Sequence, residues 1–368
     1  MQNERNSSIE LLRIISMFFI LCGHFVFNGI YCIGIDRAIP LSNLVAFKSM
    51  QTSAIIGANI FIIITGYFLP SYKITAKRFF TVAGEVLFYS YILLLIGYIF
   101  FKKNTLLYLD KLSLYRIIFP ITTRSNWFSC TYLVACLFFP YIRLTIDYLK
   151  ENKRIFKSFL VVCIICFSII GTFSYSNNYV SDFIWFVLLL YVGIYIRLFG
   201  FFIEKSRVQI IILFIILIFM IMGSCVLEYL SISFDILDQV KNNLIYRYSF
   251  LSLFEAILCF VIFSKVKLNS KIINVLSKST FAVYLIHEHI LFSKILWRDL
   301  LHAQDLFYSP YMFIVMLIDC FIIFSGCICV DQFRILLMKL FSKTKLNSFY
   351  NGIIFKLDKL FIMEFKNE

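Results

Sequence analysis

The sequence predicts an all-α, polytopic membrane protein with about ten transmembrane helices and both termini in the cytoplasm. Three observations lead to this fold class: the composition, the lengths of the apolar runs and the distribution of the basic residues. Hydrophobic residues make up 61% of the 368-residue chain and charged residues only 15%, whereas soluble globular domains are about half apolar and about one quarter charged. An ordinary core cannot bury so large an apolar fraction, so much of the apolar surface must face lipid.

Ten apolar runs approach the length of about 20 residues that a helix needs to cross about 30 Å of hydrocarbon. In chain order they are 9–30, 52–70, 80–101, 127–145, 158–174, 182–200, 208–230, 246–265, 279–297 and 309–333. The runs are continuously apolar, whereas transmembrane β-strands alternate in polarity and are about half as long. They therefore predict helices. The first run continues past the length of a signal peptide, so we expect it to remain as the first span.

The basic residues set the orientation of these spans. Of the 35 lysines and arginines, 24 fall in or beside the termini and alternate connections that share one side, and such an excess marks the cytoplasmic side. Segment 102–126 is the exception, because it is assigned to the outside yet carries five basic residues against one acid, Asp110. Two explanations stay open for this segment: an ordinary exception to a statistical rule, or a role in binding.

The absence of repeats, the scattered charge and the positions of the cysteines predict a single membrane domain without a disulfide scaffold or a metal site. No period of 20–50 residues repeats, so residues 1–338 are predicted to form a single transmembrane domain and residues 339–368 a cytoplasmic amphipathic tail. The net charge of +14 is scattered between apolar runs, which argues against a nucleic-acid partner. Nearly all of the 11 cysteines lie inside apolar runs, so neither a disulfide scaffold nor a metal site is predicted.

His24 is the most informative polar residue, because it lies inside the first apolar run. An ionisable side chain at such a depth is costly and is by default a candidate for function. Arg13 precedes it by 11 residues, which on an α-helix corresponds to about 20° of rotation and about 16 Å of rise. The pair is therefore predicted to share one helix face, with Arg13 at the cytoplasmic mouth. The alternative is that Arg13 only sets topology and His24 hydrogen-bonds a neighbouring helix.

Two neighbours extend this helix face. Glu10 precedes Arg13 by three residues and can pair with it across one helical turn. Asn28 lies one turn beyond His24, where its amide can hydrogen-bond a ring nitrogen and select the tautomer. Cys22 points nearly the opposite way, so a nucleophilic Cys–His pair within this helix is not expected.

Several motifs resemble those of a known family. Residues 5–13, RNSSIELLR, followed by His24, resemble the N-terminal motif of acyltransferase family 3, membrane proteins that O-acylate carbohydrates. Residues 59–68, NIFIIITGYF, are similar to that family's Phe-rich stretch ending in Ser-Gly-Phe or Ser-Gly-Tyr, with Thr65 in place of the serine. Weaker landmarks are Trp127–Phe128 and the YLIH of residues 284–287. The stronger motifs cover the first 70 residues or so, and the count of spans also fits.

This resemblance implies an enzyme of the bacterial inner membrane with Arg13 and His24 as its essential pair. The implied donor is a cytoplasmic acyl-CoA, usually acetyl-CoA. The implied acceptor is a hydroxyl of a lipid-linked or cell-surface glycan. No bound cofactor and no metal are expected. The residue types suit the reaction, since a neutral imidazole can take the proton of a sugar hydroxyl and a guanidinium can bind CoA phosphates in a bidentate manner.

Further candidates for binding the substrate or CoA are Glu10, Asn28, Thr65, Tyr67, Arg124, Trp127 and His287. Arg124 could attract a diphosphate linkage of the acceptor. Tyr67 and Trp127 could stack on a sugar, although such residues near span ends are also typical of the membrane-interface belt. His287 could hydrogen-bond the substrate, or it could be an interhelical histidine with a structural role.

Two other functions compete with this one. A non-enzymatic glycan-lipid transporter or flippase would use Arg13, Glu10 and the outer basic residues only to guide an anionic substrate. Transporters favour internal repeats and helices broken by Gly or Pro, and proline is nearly absent from the span centres here. A membrane-bound O-acyltransferase of the other large histidine-dependent class would catalyse the same type of reaction with a histidine from the second half, for which His287 is the plausible choice.

Overall fold

The computed structural model describes residues 6–30, 40–71, 76–173, 180–200, 207–234, 244, 246–341 and 352. Within these residues the chain is helical and contains no β-strand, which confirms the predicted fold class. Arg5 of the N-terminal motif and nearly all of the predicted tail 339–368 fall outside the described part of the chain.

The described residues form a series of α-helices. In chain order they are α1 (Ser7–His24), α2 (Leu41–Phe68), α3 (Ala76–Phe100), α4 (Lys102–Tyr108), α5 (Lys111–Ile118), α6 (Trp127–Leu149), α7 (Lys153–Ile164), α8 (Ile170–Phe173), α9 (Asp182–Phe199), α10 (Arg207–Ser233), α11 (Phe250–Lys265), α12 (Lys271–Leu276), α13 (Thr280–His287), α14 (Phe292–Lys294) and α15 (Met312–Phe341). A π-helical turn, Phe25–Ile30, continues α1, and another, Ile165–Ile169, joins α7 to α8.

Eight described helical segments are long and apolar enough to cross a membrane. They are Ser7–Gly29, Leu41–Ser71, Ala76–Phe100, Trp127–Leu149, Lys153–Phe173, Asp182–Phe199, Val208–Leu227 and Met312–Leu340. The predicted run 246–265 forms the shorter α11, with 16 residues. The chain is thus a multi-pass membrane protein, as the apolar runs predicted.

The run 279–297 was predicted as one continuous span, and this detail is wrong. Helix α13 has only eight residues and ends at His287, and the chain resumes helical geometry at α14. The next residue, Glu288, has φ −99° and ψ 6°, outside helical geometry, and its carboxylate contacts another part of the chain. The interruption brings His287 and Glu288 to a helix end, where they meet residues of α1.

Helix α2 is the central element, since it packs against α1, α9 and α11. At its crossing with α9, Gly66 and Gly193 let the two backbones touch. A Cβ atom added at Gly66 would lie 2.2 Å from the Leu190 carbonyl oxygen, and one at Gly193 would lie 2.2 Å from the Ile63 carbonyl oxygen. Small residues permit such close helix approach in membrane proteins, where packing replaces the hydrophobic driving force.

The start of α1 is tied to the connection before α12. The Ser8 hydroxyl donates to the Val266 carbonyl oxygen at 2.6 Å and accepts the Leu268 N–H at 3.1 Å. The Ser7 hydroxyl accepts the Ser270 N–H at 3.0 Å. These bonds hold the N-terminal turns of α1 beside α12 and α13, far along the sequence, and so position Arg13 near the 277–281 region.

A charged network joins α3 to α15. Arg334 lies 2.7 Å from an Asp331 carboxylate oxygen and 3.0 Å from one of Glu85, and the Tyr89 hydroxyl donates to Asp331 at 2.7 Å. Asp331 is fully buried, so its charge is matched by the arginine rather than by water. This network holds the Glu85 side of α3 in place.

Candidate active site

His24, the last residue of α1, meets the end of α13. Its Nδ1 atom lies 2.9 Å from Nε2 of His287 and 3.1 Å from Oε2 of Glu288. The ring centroids of the two histidines are 5.1 Å apart. The fold therefore brings together two histidines that are 263 residues apart in the sequence.

A backbone carbonyl determines where the protons of the two rings lie. Nδ1 of His287 is 2.6 Å from the Val283 carbonyl oxygen. Because a carbonyl oxygen only accepts, Nδ1 must carry the proton and the neutral ring keeps a lone pair on Nε2. That lone pair accepts the Nδ1–H of His24, which leaves Nε2 of His24 unprotonated. The hydrogen-bond network thus assigns to His24 the tautomer that can accept a proton at Nε2.

Glu288 and Asn28 form the second side of this arrangement. Asn28 was predicted to hydrogen-bond the His24 ring; instead its amide donates to Oε2 of Glu288 at 3.0 Å. The same oxygen lies beside Nδ1 of His24. Asn28 thus acts on His24 through the carboxylate, because the break after α13 places Glu288 between the two side chains.

Aromatic side chains surround the histidine pair, and His24 remains partly exposed. The rings of Tyr284 and Trp297 lie 6.2 Å and 6.3 Å from His287, and His287 itself is fully buried. The His24 side chain keeps 22% of its exposure and the Glu288 side chain 27%. His24 thus keeps part of its side-chain surface exposed, whereas His287 keeps none.

An inner cavity of about 520 Å³ lies at the helix ends that are predicted to face the cytoplasm. Its lining includes three basic side chains, Arg13, Arg78 and Lys278. The predicted ion pair of Glu10 with Arg13 occurs here, with Oε2 and Nη1 3.5 Å apart. Arg78 donates through Nε to the Tyr132 hydroxyl at 2.7 Å. The lining thus contains three basic side chains and two acidic ones, Glu10 and Glu85, of which Glu85 pairs with Arg334 at 3.0 Å.

Aromatic side chains separate the inner cavity from His24. Phe128 lines the cavity, and its ring lies 5.8 Å from that of Tyr284. The Tyr284 ring lies in turn 6.2 Å from His24. Thr65 also lines this cavity, with its hydroxyl donating to the Phe61 carbonyl oxygen at 3.0 Å. Phe128 and Tyr284 thus form an aromatic layer between the inner cavity and the histidine pair.

An outer cavity of about 790 Å³ lies on the other side of α6. Its polar part lies where α6, α9 and α11 begin, the ends predicted to face outside. Asp182 is 3.0 Å from Arg124 and 3.1 Å from Arg247, and it accepts a hydrogen bond from the Tyr248 hydroxyl. The Arg247 guanidinium lies 4.1 Å from the Trp127 ring centroid, a cation–π contact.

The lining of the outer cavity changes character along α6. Beyond Trp127 it continues over Val134 and Leu137 to Phe79 on α3. Val134 and Leu137 are exposed on the apolar outer surface of the helix bundle. The cavity therefore joins a charged, aromatic end to an apolar groove. Trp127 lines this cavity while the next residue, Phe128, lines the inner one.

The comparison with protein families decides the identity of this arrangement. A family model described as an acyltransferase domain matches residues 6–329. The chain belongs to acyltransferase family 3. Comparisons with curated proteins and with solved structures give no significant match. The two cavities and the histidine pair are therefore features of a membrane acyltransferase.

The acyltransferase fold distributes the residues predicted from sequence over three places. Arg13, Glu10 and Thr65 line the inner cavity. His24, His287 and Asn28 form the histidine cluster. Arg124 and Trp127 line the outer cavity. Tyr67 belongs to none of them, since its hydroxyl accepts from Arg197 at 3.2 Å and its ring packs 5.1 Å from Phe260. Tyr67 therefore lies apart from Trp127, and its role in stacking on a sugar stays a prediction.

Sequence reasoning did not single out four residues of the acyltransferase that line or complete these sites. They are Arg78, Arg247, Lys278 and Glu288. Arg78 and Lys278 entered the sequence argument only as orientation signals. Glu288 follows a motif that resembles the family, and its position beside His287 in the apolar run was the available signal. Arg247 lies in a connection, where nothing in the sequence relates it to Trp127.

The histidine cluster also has the composition of a possible metal site in the described part of the acyltransferase. Ligand atoms of His24, His287 and Glu288 lie within 4.8 Å of one another, and imidazole with carboxylate is a donor set that suits Zn²⁺. The direct contact of Nδ1 with Nε2 at 2.9 Å is, however, a good hydrogen-bond distance. The proton assignment given above accounts for this contact, so we treat the cluster as an acid–base group.

Proposed function

We propose that this membrane acyltransferase transfers an acetyl group from cytoplasmic acetyl-CoA to a hydroxyl of a lipid-linked or cell-surface glycan, as an enzyme of the bacterial inner membrane. His24 is the general base. The observation that carries the proposal is the hydrogen-bond chain from the Val283 carbonyl through His287 to His24. In neutral His24 this chain keeps the proton on Nδ1 and leaves Nε2 as a base, behind the aromatic side chains that border the inner cavity.

The inner cavity is the proposed donor site. The phosphates of CoA are its most strongly charged groups, and Arg13, Arg78 and Lys278 in the lining provide complementary charge, while the Glu85 carboxylate is paired with Arg334. The pantetheine arm is extended and uncharged, with amide groups between its methylene groups, which suits a lining that combines Phe61 and Phe128 with the hydroxyls of Thr65 and Tyr132. The thioester would then reach the aromatic layer next to His24.

The chemistry follows from the base at Nε2. The acceptor oxygen forms a bond to the thioester carbonyl carbon while its proton moves to Nε2 of His24, and the π electron pair of the carbonyl moves onto the carbonyl oxygen. When that pair returns, the carbon–sulfur bond breaks and its electrons leave on the CoA sulfur. The His24 imidazolium gives its proton to the thiolate. Glu288, 3.1 Å away, stabilises the imidazolium in the meantime. The products are an ester and CoA thiol.

The outer cavity is the proposed acceptor site. Trp127 offers an aromatic face for a sugar ring, and Arg124 with Arg247 outnumber the single charge of Asp182. A phosphate or other anionic group near the sugar would add to that balance. The apolar groove along Val134 and Leu137 suits a lipid chain. These features together favour a lipid-linked glycan as acceptor.

The proposal is tested with purified protein, acetyl-CoA labelled in the acetyl group and glycolipids extracted from membranes of the expressing cells. We expect label in an alkali-labile ester of the glycolipid. His24→Ala should abolish transfer, because loss of a general base lowers rates by about 10²–10⁴-fold, while the variant still accumulates in membranes.

His302→Asn is the matched control. His302 is an exposed histidine with φ 46°, a backbone conformation that asparagine tolerates, and this variant should transfer label normally. Retained activity in His24→Ala would refute the proposed base. Label that stays on CoA in the wild type would instead support the transporter alternative.

A further inference from the structure

We propose that the Tyr284 hydroxyl and the first backbone N–H groups of α6 together bind the thioester carbonyl oxygen and stabilise the negative charge that forms on it. This inference rests on the proposed acyl transfer and adds a second catalytic group to it. It assigns a role to a residue that the base mechanism does not use.

The Tyr284 hydroxyl is buried without a partner. The residue is 4% exposed, and its hydroxyl has no hydrogen bond among the residues that the structure describes. Buried tyrosine hydroxyls normally find a partner, because leaving a polar group buried and unpaired is costly. A hydroxyl kept in this state next to a reactive centre indicates that its partner is a group of the substrate.

The N-terminus of α6 offers further donors at the same place. Its N-cap residue, Asn126, makes no side-chain capping bond, although asparagine is a favourable cap. The caps of α9 and α11, Ser181 and Ser249, do accept a backbone N–H of their own first turn. The N–H groups of a first turn have no partner within the helix, and the helix dipole favours negative charge there.

The Tyr284 hydroxyl lies next to the N-terminus of α6. The Tyr284 hydroxyl lies beside the backbone of Phe128, without meeting hydrogen-bond geometry, and the Phe128 ring is 5.8 Å from the Tyr284 ring. Phe128 and Ser129 are both buried, so this helix end lies inside the protein rather than in water. The electrostatic effect of the N–H groups is stronger there than at an exposed helix end.

The position of Tyr284 relative to His24 suits binding of the thioester carbonyl group during acyl transfer. Tyr284 precedes His287 by three residues on α13, so the two side chains share one face, and the Tyr284 ring centroid is 6.2 Å from that of His24. Phe128 borders the inner cavity and packs against Tyr284, so a thioester that advances past Phe128 meets the Tyr284 side chain on the way to His24. The base then acts on the attacking hydroxyl while Tyr284 and α6 receive the carbonyl oxygen.

The test compares Tyr284→Phe with Tyr195→Phe. Tyr195 on α9 also has a buried hydroxyl without a partner in the described residues, but its ring packs against Phe156 and Phe199. Removing either hydroxyl leaves no cavity, so both variants should fold. The rate of CoA thiol release is measured with extracted glycolipids as acceptor and divided by the amount of protein that binds desulfo-CoA, which counts only folded molecules.

We expect Tyr284→Phe to lower kcat by about 10²–10³-fold, the usual effect of removing one oxyanion donor, with the KM for acetyl-CoA changed by less than about threefold, since the contact forms mainly in the transition state. Tyr195→Phe should match the wild type. A Tyr284→Phe kcat within about threefold of wild type would overturn the inference and leave His24 untouched. Equal losses in both variants would also overturn it. A wild type that releases no CoA would refute the proposed function, and with it this extension.

Discussion

His24 acquires its proposed role from a residue that lies 263 positions away. The Val283 carbonyl fixes the His287 proton on Nδ1, and His287 in turn accepts from His24. This resembles the general logic by which a base is oriented by a third group in acyl-transfer enzymes. His287 is therefore a positioning residue, because it acts on the reaction only through His24.

A prediction follows for His287. His287→Phe removes the acceptor of the His24 Nδ1–H, whereas His287→Gln keeps an amide oxygen that can accept it. We expect His287→Phe to lower kcat by about 10- to 100-fold, a part of the full general-base contribution of about 10²–10⁴-fold, because Glu288 still lies 3.1 Å from His24. His287→Gln should recover much of this loss. The kcat and KM for acetyl-CoA are measured for both.

The two variants also separate the positioning role from a merely structural one. A structural histidine between helices would affect both variants through the amount of folded protein, with kcat per folded molecule unchanged. Unchanged kcat in His287→Phe would therefore contradict the tautomer assignment.

Helix α2 determines the arrangement of the elements around the site. Its contact with α9 depends on two glycines that face each other's backbone, Gly66 and Gly193. The same helix carries Phe61 and Thr65 into the inner cavity. The packing of α2 on α9 therefore sets the position of the cavity wall as well as the stability of the bundle.

The stability prediction concerns Gly66→Ala. The added Cβ would lie 2.2 Å from the Leu190 carbonyl oxygen, so the helices must separate, and overpacking of this kind costs about 1–3 kcal/mol. We expect the midpoint temperature to fall by several degrees when intact protein is measured by size-exclusion chromatography after heating. Gly326→Ala on α15 is the control, since a Cβ there meets nothing within 4 Å. Equal midpoint temperatures for the two variants would show that α2 and α9 can accommodate the added methyl group without loss of stability, contrary to this prediction.

The sequence predicted most of the helices because each needs only a local property, an apolar run of sufficient length. It failed at residues 279–297, where the composition is mostly apolar but includes Glu288 and Lys294, and where α13 ends at His287. At the break Glu288 contacts Asn28 and His24, and such long-range contacts are not contained in a local pattern. The spacing of Arg13 and His24 is also a local property, so the sequence could predict it. The contact of His24 with His287 depends on the packing of α1 against α13 and could not be predicted locally.

In the whole molecule, the inner and outer cavities lie on opposite sides of the first turn of α6. Trp127 borders the outer cavity and Phe128 the inner one, so a pair of adjacent residues separates the proposed donor and acceptor sites. Sequence reasoning identified this pair only as a weak family landmark. Its position between two cavities could not be predicted, because these cavities are formed by residues of α1, α2, α3, α9 and the segments near 247 and 278.

The arrangement of the whole molecule also gives a place to the basic segment 102–126. Arg124, one of its five basic residues, pairs with Asp182 and lines the outer cavity. This placement favours the binding explanation over that of a chance exception for Arg124. The short helices α4 and α5 bring the segment back to the start of α6, beside the cavity.

The most direct test of the account is a cryo-electron microscopy structure with a ketone analogue of acetyl-CoA, in which a methylene group replaces the sulfur so that transfer cannot occur. We predict the phosphates of the analogue beside Arg13, Arg78 and Lys278 and its carbonyl carbon about 4–5 Å from Nε2 of His24. That distance leaves room for an acceptor hydroxyl that donates to Nε2 and lies about 3–3.5 Å from the carbonyl carbon. An analogue bound in the outer cavity, or one whose carbonyl group stays on the far side of Phe128 from His24, would contradict the account.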